Sequence, residues 1–189
     1  MGGISFKQVC DIELSAKYQK IKIKFQLWDT AGEEKYKSLT SVFYRNAHAV
    51  IVVFDLSRQE TFSSISEWLS CIRDNCSDDV QIILVGNKCD LDRNVDESEI
   101  EDLAYLYNLF YTEASAKTAV NIAETFVKLA ENLVEQENQL RSLQSIDSGP
   151  SSLWLHLQEA NTKTPTASHT VIFPAHTGMG HFICSTCHF

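Results

Sequence analysis

Ile21, Ile23, Phe25 and Leu27 alternate with Lys22, Lys24 and Gln26. That period of two predicts a strand with one apolar and one polar face. Ile12 to Leu14 predicts a partner strand, joined to it by a hairpin over Ser15 to Gln19. Ala49 to Phe54 and Ile82 to Val85 are apolar, β-branched runs, which suit strands buried on both faces. Between them Phe62, Ile65, Trp68, Leu69 and Ile72 recur at helical spacing. Asp96 with Glu99, and Asn121 with Glu124, have the spacing of an N-cap and an acid three residues on. After the second pair, Ile122, Phe126, Leu129, Leu133, Leu140 and Leu143 line one face of a long helix. Strands alternating with helices predict a layered α/β domain with a largely parallel sheet, whose ligands sit at the carboxyl ends of the strands.

The pattern stops near residue 143. All three prolines and five of the six histidines lie beyond residue 149, and Ser148-Gly149-Pro150 marks a boundary. The expected organisation is one domain over 1–143 and a flexible Ser/Thr/His-rich tail over 144–189, without internal repeats. At 189 residues and 44 % hydrophobic, the chain is long enough for one such core plus a tail. A net charge of −9 and a pI near 5.1 argue against nucleic acid as a partner, and against an anionic membrane held through a basic patch. No apolar run approaches membrane-spanning length, and the N-terminus lacks the layout of a secretion signal. Six scattered cysteines suit a reducing cytosol. Met1-Gly2 begins like a myristoylation site, but Phe6 stands where that motif wants Ser or Thr.

Three motifs follow predicted strands. Asp29-Thr30-Ala31-Gly32-Glu33-Glu34 follows Trp28. A carboxylate there can hold Mg²⁺ through water, since Mg²⁺ keeps most of its aqua ligands. The Gly32 amide, with no Cβ beside it, can approach a terminal phosphate. Asn87-Lys88-Cys89-Asp90 follows the run that ends at Val85-Gly86. A carboxylate at Asp90 can accept from N1 and N2 of guanine. Adenine lacks those donors, a discrimination of ~1–3 kcal/mol per lost buried partner. The Lys88 methylenes can cover the base, and Asn87 can tie neighbouring loops together. Glu113-Ala114-Ser115-Ala116-Lys117 follows a short strand at Phe110-Tyr111, and the Ala116 N–H can donate to guanine O6. Singly, each motif also reads as an ordinary polar loop. In this order, each at a strand end, they specify a nucleotide fold.

These motifs resemble those of the Ras-like small GTPases, and within them the Rab branch, over roughly Gly3 to Leu143. Gly3-Ile4-Ser5-Phe6 is similar to the segment just after switch I, and Asp29 to Glu34 to switch II. Phe43-Tyr44-Arg45-Asn46-Ala47 resembles the usual continuation of switch II. The resemblance implies a Ras-like P-loop GTPase fold, with a mostly parallel sheet flanked by helices. It implies GTP/GDP bound with Mg²⁺ as a switch in vesicle trafficking. The nucleotide residues would be Asp29, Thr30, Ala31, Gly32, Asn87, Lys88, Asp90, Ser115, Ala116 and Lys117, with Asp29 reaching Mg²⁺ via water. Phe6, Trp28 and Phe43 match the hydrophobic triad that meets Rab effectors, although Trp28 and Phe43 also read as core. The implied partners are Rab effectors and regulators. A monomer is expected, cytoplasmic and, if lipidated, peripheral on endomembranes.

The chain departs from the family at four places. Only 28 residues precede Asp29 and no glycine is followed by lysine, so the first strand, the phosphate cradle Gly-x-x-x-x-Gly-Lys-Ser/Thr, the first helix and the switch I threonine have no counterpart. This reads as an N-terminally truncated isoform or a gene-model fragment. The strands ending at Trp28 and near Phe54 are then expected to present bare edges, at ~1–3 kcal/mol per unpaired buried amide. Glu33 stands where the family has its water-orienting glutamine. A carboxylate only accepts hydrogen bonds, and it repels phosphate charge. The hairpin between Phe6 and Trp28 is several residues longer than usual.

The terminal Cys184-Ser-Thr-Cys187-His188-Phe189 is not a paired-cysteine prenylation ending, so lipid on Cys184 or Cys187 lacks support from the pattern. It also spells a haem c attachment motif, read as coincidence without an export signal. With His176 and His181 it could hold zinc, against which a solvated tail is the stronger expectation. Two functions stand side by side: a guanine-nucleotide switch whose hydrolysis by this chain is in doubt, and a nucleotide-independent effector-binding module.

Overall fold

The computed structural model describes residues 6–14, 21–30, 44, 47–147 and 166–174. Strands β1 (Phe6–Leu14) and β2 (Ile21–Thr30) pair antiparallel, from Phe6 opposite Asp29 to Leu14 opposite Ile21. β3 (Ala49–Asp55), β4 (Gln81–Asn87) and β5 (Phe110–Glu113) follow, each parallel to the next. The helices are α1 (Gln59–Ser63), α2 (Ile65–Asn75), α3 (Glu97–Tyr107) and α4 (Ile122–Asp147). The helical stripe from Phe62 to Ile72 is thus carried by two helices meeting at Ser64.

A two-residue period divides the core. On one face Ile23, Phe25, Leu27, Ala49, Ile51, Val53, Ile83 and Val85 pack under α4, against Phe126, Leu129 and Leu133. On the other, Val50, Val52, Phe54 and Leu84 meet Phe62, Ile65, Leu69 and Ile72 of α1 and α2 and Ile100 of α3. All of β3 is buried, which is why its sequence is apolar without alternation.

The cap expectations divide. Asp96 caps α3, its carboxylate accepting from Ser98 N at 2.8 Å. Glu99 does not complete a capping box; it accepts from Gln59 Nε2 at 2.8 Å. Asn121 does not cap α4 with its side chain either. Its backbone is left-handed (φ 57°) and its amide donates to the Glu113 carbonyl at 2.8 Å, tying the helix start to the end of β5.

The principal departure from the sequence reading lies in the tail. α4 continues to Asp147, and residues 166–174 form a strand, β6 (Thr166–Pro174). The sheet order is β1-β2-β6-β3-β4-β5, so β6 occupies the gap beside β2 and β3 where bare edges were expected. It runs parallel to β2 from Lys22–Thr166 to Thr30–Pro174, and meets β3 at Ala49–Val171 and Val50–Ile172. Val171 is fully buried in the core under α4. A flexible tail therefore does not describe this segment. Thr170, Val171, Ile172 and Phe173 favour a pleated, half-buried surface. An unpaired strand edge is a ready template for such a segment.

Candidate functional site

The parallel register brings the carboxyl ends of β3, β4 and β5 to one edge, with Asp55 opposite Asn87 and Gly86 opposite Glu113. The loops after β4 and β5 leave from this edge and are stitched together. Ala114 N donates to the Gly86 carbonyl at 2.9 Å, and Cys89 N to the Ala114 carbonyl at 3.1 Å. Gly86 permits this closeness. A Cβ there would stand 2.9 Å from both Leu56 Cδ2 and Tyr111 Oη.

Asn87 is buried and its Oδ1 accepts from Ala116 N at 3.1 Å. The loop-tying role expected of Asn87 is therefore present. It engages the very amide expected to meet guanine O6, so a base must share that N–H or displace the side chain. Lys88 follows with φ 64° and its carbonyl accepts from Leu91 N at 3.0 Å, turning the chain so that Asp90 faces the β5 loop. Ser115 Oγ donates to Asp90 Oδ1 at 2.5 Å and accepts from Thr118 N at 3.1 Å. Lys117 Nζ lies 3.8 Å from Asp90 Oδ2. The Ser115 hydrogen bond, aided by the Lys117 and Lys88 charges, holds the Asp90 carboxyl below its ordinary range. With four lone-pair sites and one hydroxyl bond, Asp90 keeps acceptor capacity for further N–H donors.

The sequence reading overlooked Asp55. It ends β3 with its side chain only 3 % exposed, and Lys88 Nζ lies 2.5 Å from its Oδ2. Its Oδ1 accepts from Ser57 N at 2.9 Å and Ser57 Oγ at 2.6 Å. Burial pushes the Asp55 pKa up, but the hydrogen bonds from Lys88 and Ser57 and the Lys88 charge outweigh it, and the net shift is downward. The signal was available: a lone acid closing a wholly apolar strand needs a buried partner. A second cluster was also missed. Glu113 Oε1 accepts from Arg93 Nη2 at 2.6 Å and from Tyr111 Oη at 2.8 Å, bracing the end of β5.

Asp29 and Thr30 end β2 at the same edge, in register with Phe173 and Pro174 of β6. Ala31, Gly32, Glu33 and Phe43 lie outside the described residues, as do the terminal cysteines and histidines beyond Pro174. Trp28 is half-buried and packs against the core under α1 and α2, while the register sets Phe6 opposite Asp29 and Lys7 opposite Trp28. No group of metal-binding side chains occurs among the described residues, and no described helix is long and apolar enough to cross a membrane. A cavity of about 590 Å³, lined by Arg73, Gln81, Tyr107, Phe110 and Asn132, opens at the opposite edge, where β4 and β5 begin.

Residues 7–135 match the family described as Ras family. Rab-8B of Bos taurus is 38 % identical over 139 residues, covering 72 % of this chain and 65 % of the relative. Rab-13 of Rattus norvegicus is 37 % identical over 159 residues, 83 % of this chain and 75 % of the relative. Rab-2B of Dictyostelium discoideum is 42 % identical over 117 residues, 61 % of this chain and 58 % of the relative. The chain thus spans just under two thirds of the length of Rab-8B. Strand β6 lies outside the family match.

Proposed function

The chain belongs to the Ras family, in its Rab branch, and on that premise we propose that it is a guanine-nucleotide-binding protein of vesicle trafficking whose base-recognition half is built by the loops after β4 and β5. The observation that carries this reading is the Ser115–Asp90 contact beside the Asn87–Ala116 tie. They support the reading because an ionised acceptor stands beside the Ala116 N–H, which a guanine edge would share with Asn87 and an adenine edge would not complement. Lys88 lends its methylenes to the base plane while its ammonium stays on Asp55. Asp29, at the end of β2, is the residue that would hold Mg²⁺ through water, a metal that itself supplies charge neutralisation for phosphates.

The base contacts counted on their own support an affinity of about millimolar, ~−4 kcal/mol. Hydrolysis by this chain is not part of the proposal, because Glu33 can only accept hydrogen bonds where a water-orienting group must also donate. Titration of the full chain with a fluorescent GDP analogue, competed with guanosine and adenosine, tests the reading. Weak binding that guanosine alone displaces is expected; equal displacement by adenosine sinks it.

The second reading, nucleotide-independent capture of Rab effectors through Phe6, Trp28 and Phe43, is favoured by one observation. Trp28 is only half-buried, although its neighbours Leu27 and Phe25 are fully enclosed. In either reading the partners are Rab effectors and regulators, met in the cytoplasm or at the surface of endomembranes.

A further inference from the structure

β6 is gripped unequally by its two neighbours. Against β2 it is in register along its whole length, from Thr166 to Pro174, whereas against β3 it is in register only at Val171 and Ile172. The strand ends at Pro174, which has no N–H to offer a ladder. Its buried anchor is Val171, in register with Leu27 on one side and Ala49 on the other and fully enclosed in the core. Parallel pairing at a sheet centre requires a long crossover, and residues 148–165 separate β6 from the end of α4. The strand also comes from outside the region that matches the family.

We propose that the space between β2 and β3 is a strand-binding site, and that segment 166–174 is its separable, intramolecular ligand. The site takes an extended peptide in parallel register, recognised by backbone pairing to β2 and by one β-branched side chain in the core at the place of Val171. Occupation completes the β2 ladder and joins it to the start of β3 at Ala49 and Val50. Vacancy leaves the backbone of β2 without a partner on one side and opens the seam between β1-β2 and β3-β4-β5. The seam between β6 and β3 is the weaker of the two, so the sheet parts there first.

The test uses the full chain with a protease site placed within residues 148–165, cut after folding. The cut segment co-elutes with the rest of the protein, and an excess of fluorescent peptide spanning residues 163–176 exchanges into it. The same peptide carrying Val171→Asp competes at least tenfold less well. Hydrogen exchange gives a second readout that does not depend on nucleotide. In the uncut chain, Val171→Ala speeds exchange at Leu27, Trp28, Ala49 and Val50 at least tenfold more than at Ile83 to Val85. The proposal is overturned if the cut segment departs with those amides still protected, or if both peptides compete equally. It is overturned too if light scattering shows the strand exchanged between two copies, which would make the donor intermolecular. None of these readouts moves if only the guanine reading is wrong.

Discussion

Ala116 N donates to Asn87 Oδ1 at 3.1 Å across 29 residues of sequence, fastening the loop after β5 to the loop after β4. Asn87 is 4 % exposed, so its removal leaves that N–H without its protein partner in a nearly dry place. Asn87→Ala is expected to cost about 1–3 kcal/mol of stability, read by urea denaturation, and to weaken guanine-nucleotide binding with it. A variant with unchanged stability would show that the loops stand without the tie.

Asp90 carries the expected preference for guanine. Asp90→Ala removes the acceptor for N1 and N2 and releases Ser115 from its 2.5 Å contact. The ratio of guanosine to adenosine affinity should fall about tenfold or more, because guanine N1 and N2 then lose the acceptor that adenine never used. Competition titrations measure it, and an unchanged ratio would move recognition elsewhere.

Asp55 makes stability sensitive to acid. Its folded pKa lies below the unfolded value of about 3.9, so its contribution is fully present above that value. It is lost as pH falls through the lower folded value, because the unfolded chain then binds the proton first. Asp55→Asn should flatten that part of the stability profile below about pH 4, measured by urea denaturation at stepped pH. Lys88→Met should destabilise at neutral pH by about 1–3 kcal/mol, since it leaves an acid with 3 % exposure without its cation.

Gly86 is required by the space around it. Adding a methyl sets Cβ 2.9 Å from Leu56 Cδ2 and Tyr111 Oη, so Gly86→Ala should cost about 1–3 kcal/mol through overpacking. The thermal midpoint falls accordingly, and Tyr111→Phe in the same chain recovers part of the loss by vacating one clash.

Trp28 separates the two functional readings. If the chain captures Rab effectors without nucleotide, Trp28→Ala abolishes capture in a pull-down while circular dichroism stays native. Capture that persists removes the triad from the account. Capture lost together with the fold assigns Trp28 to the core that it touches under α1 and α2.

The sequence by itself determined the local elements and the family. The period of two in Ile21 to Leu27, the two apolar runs and the helical stripes each report an environment repeated over many neighbouring positions, so they name strands and helices directly. The Asn87 tie between the loops was legible because it depends on residue type at a strand end. Asp55 was not, because its partner Lys88 is 33 positions away and only the register of β3 on β4 brings them together. The tertiary structure alone decided the fate of residues 166–174. A parallel strand at the centre of a sheet has no local partner, so nothing beside it in sequence announces the pairing. What holds it there is backbone pairing to β2, more than a hundred residues away, together with the burial of Val171 in the core.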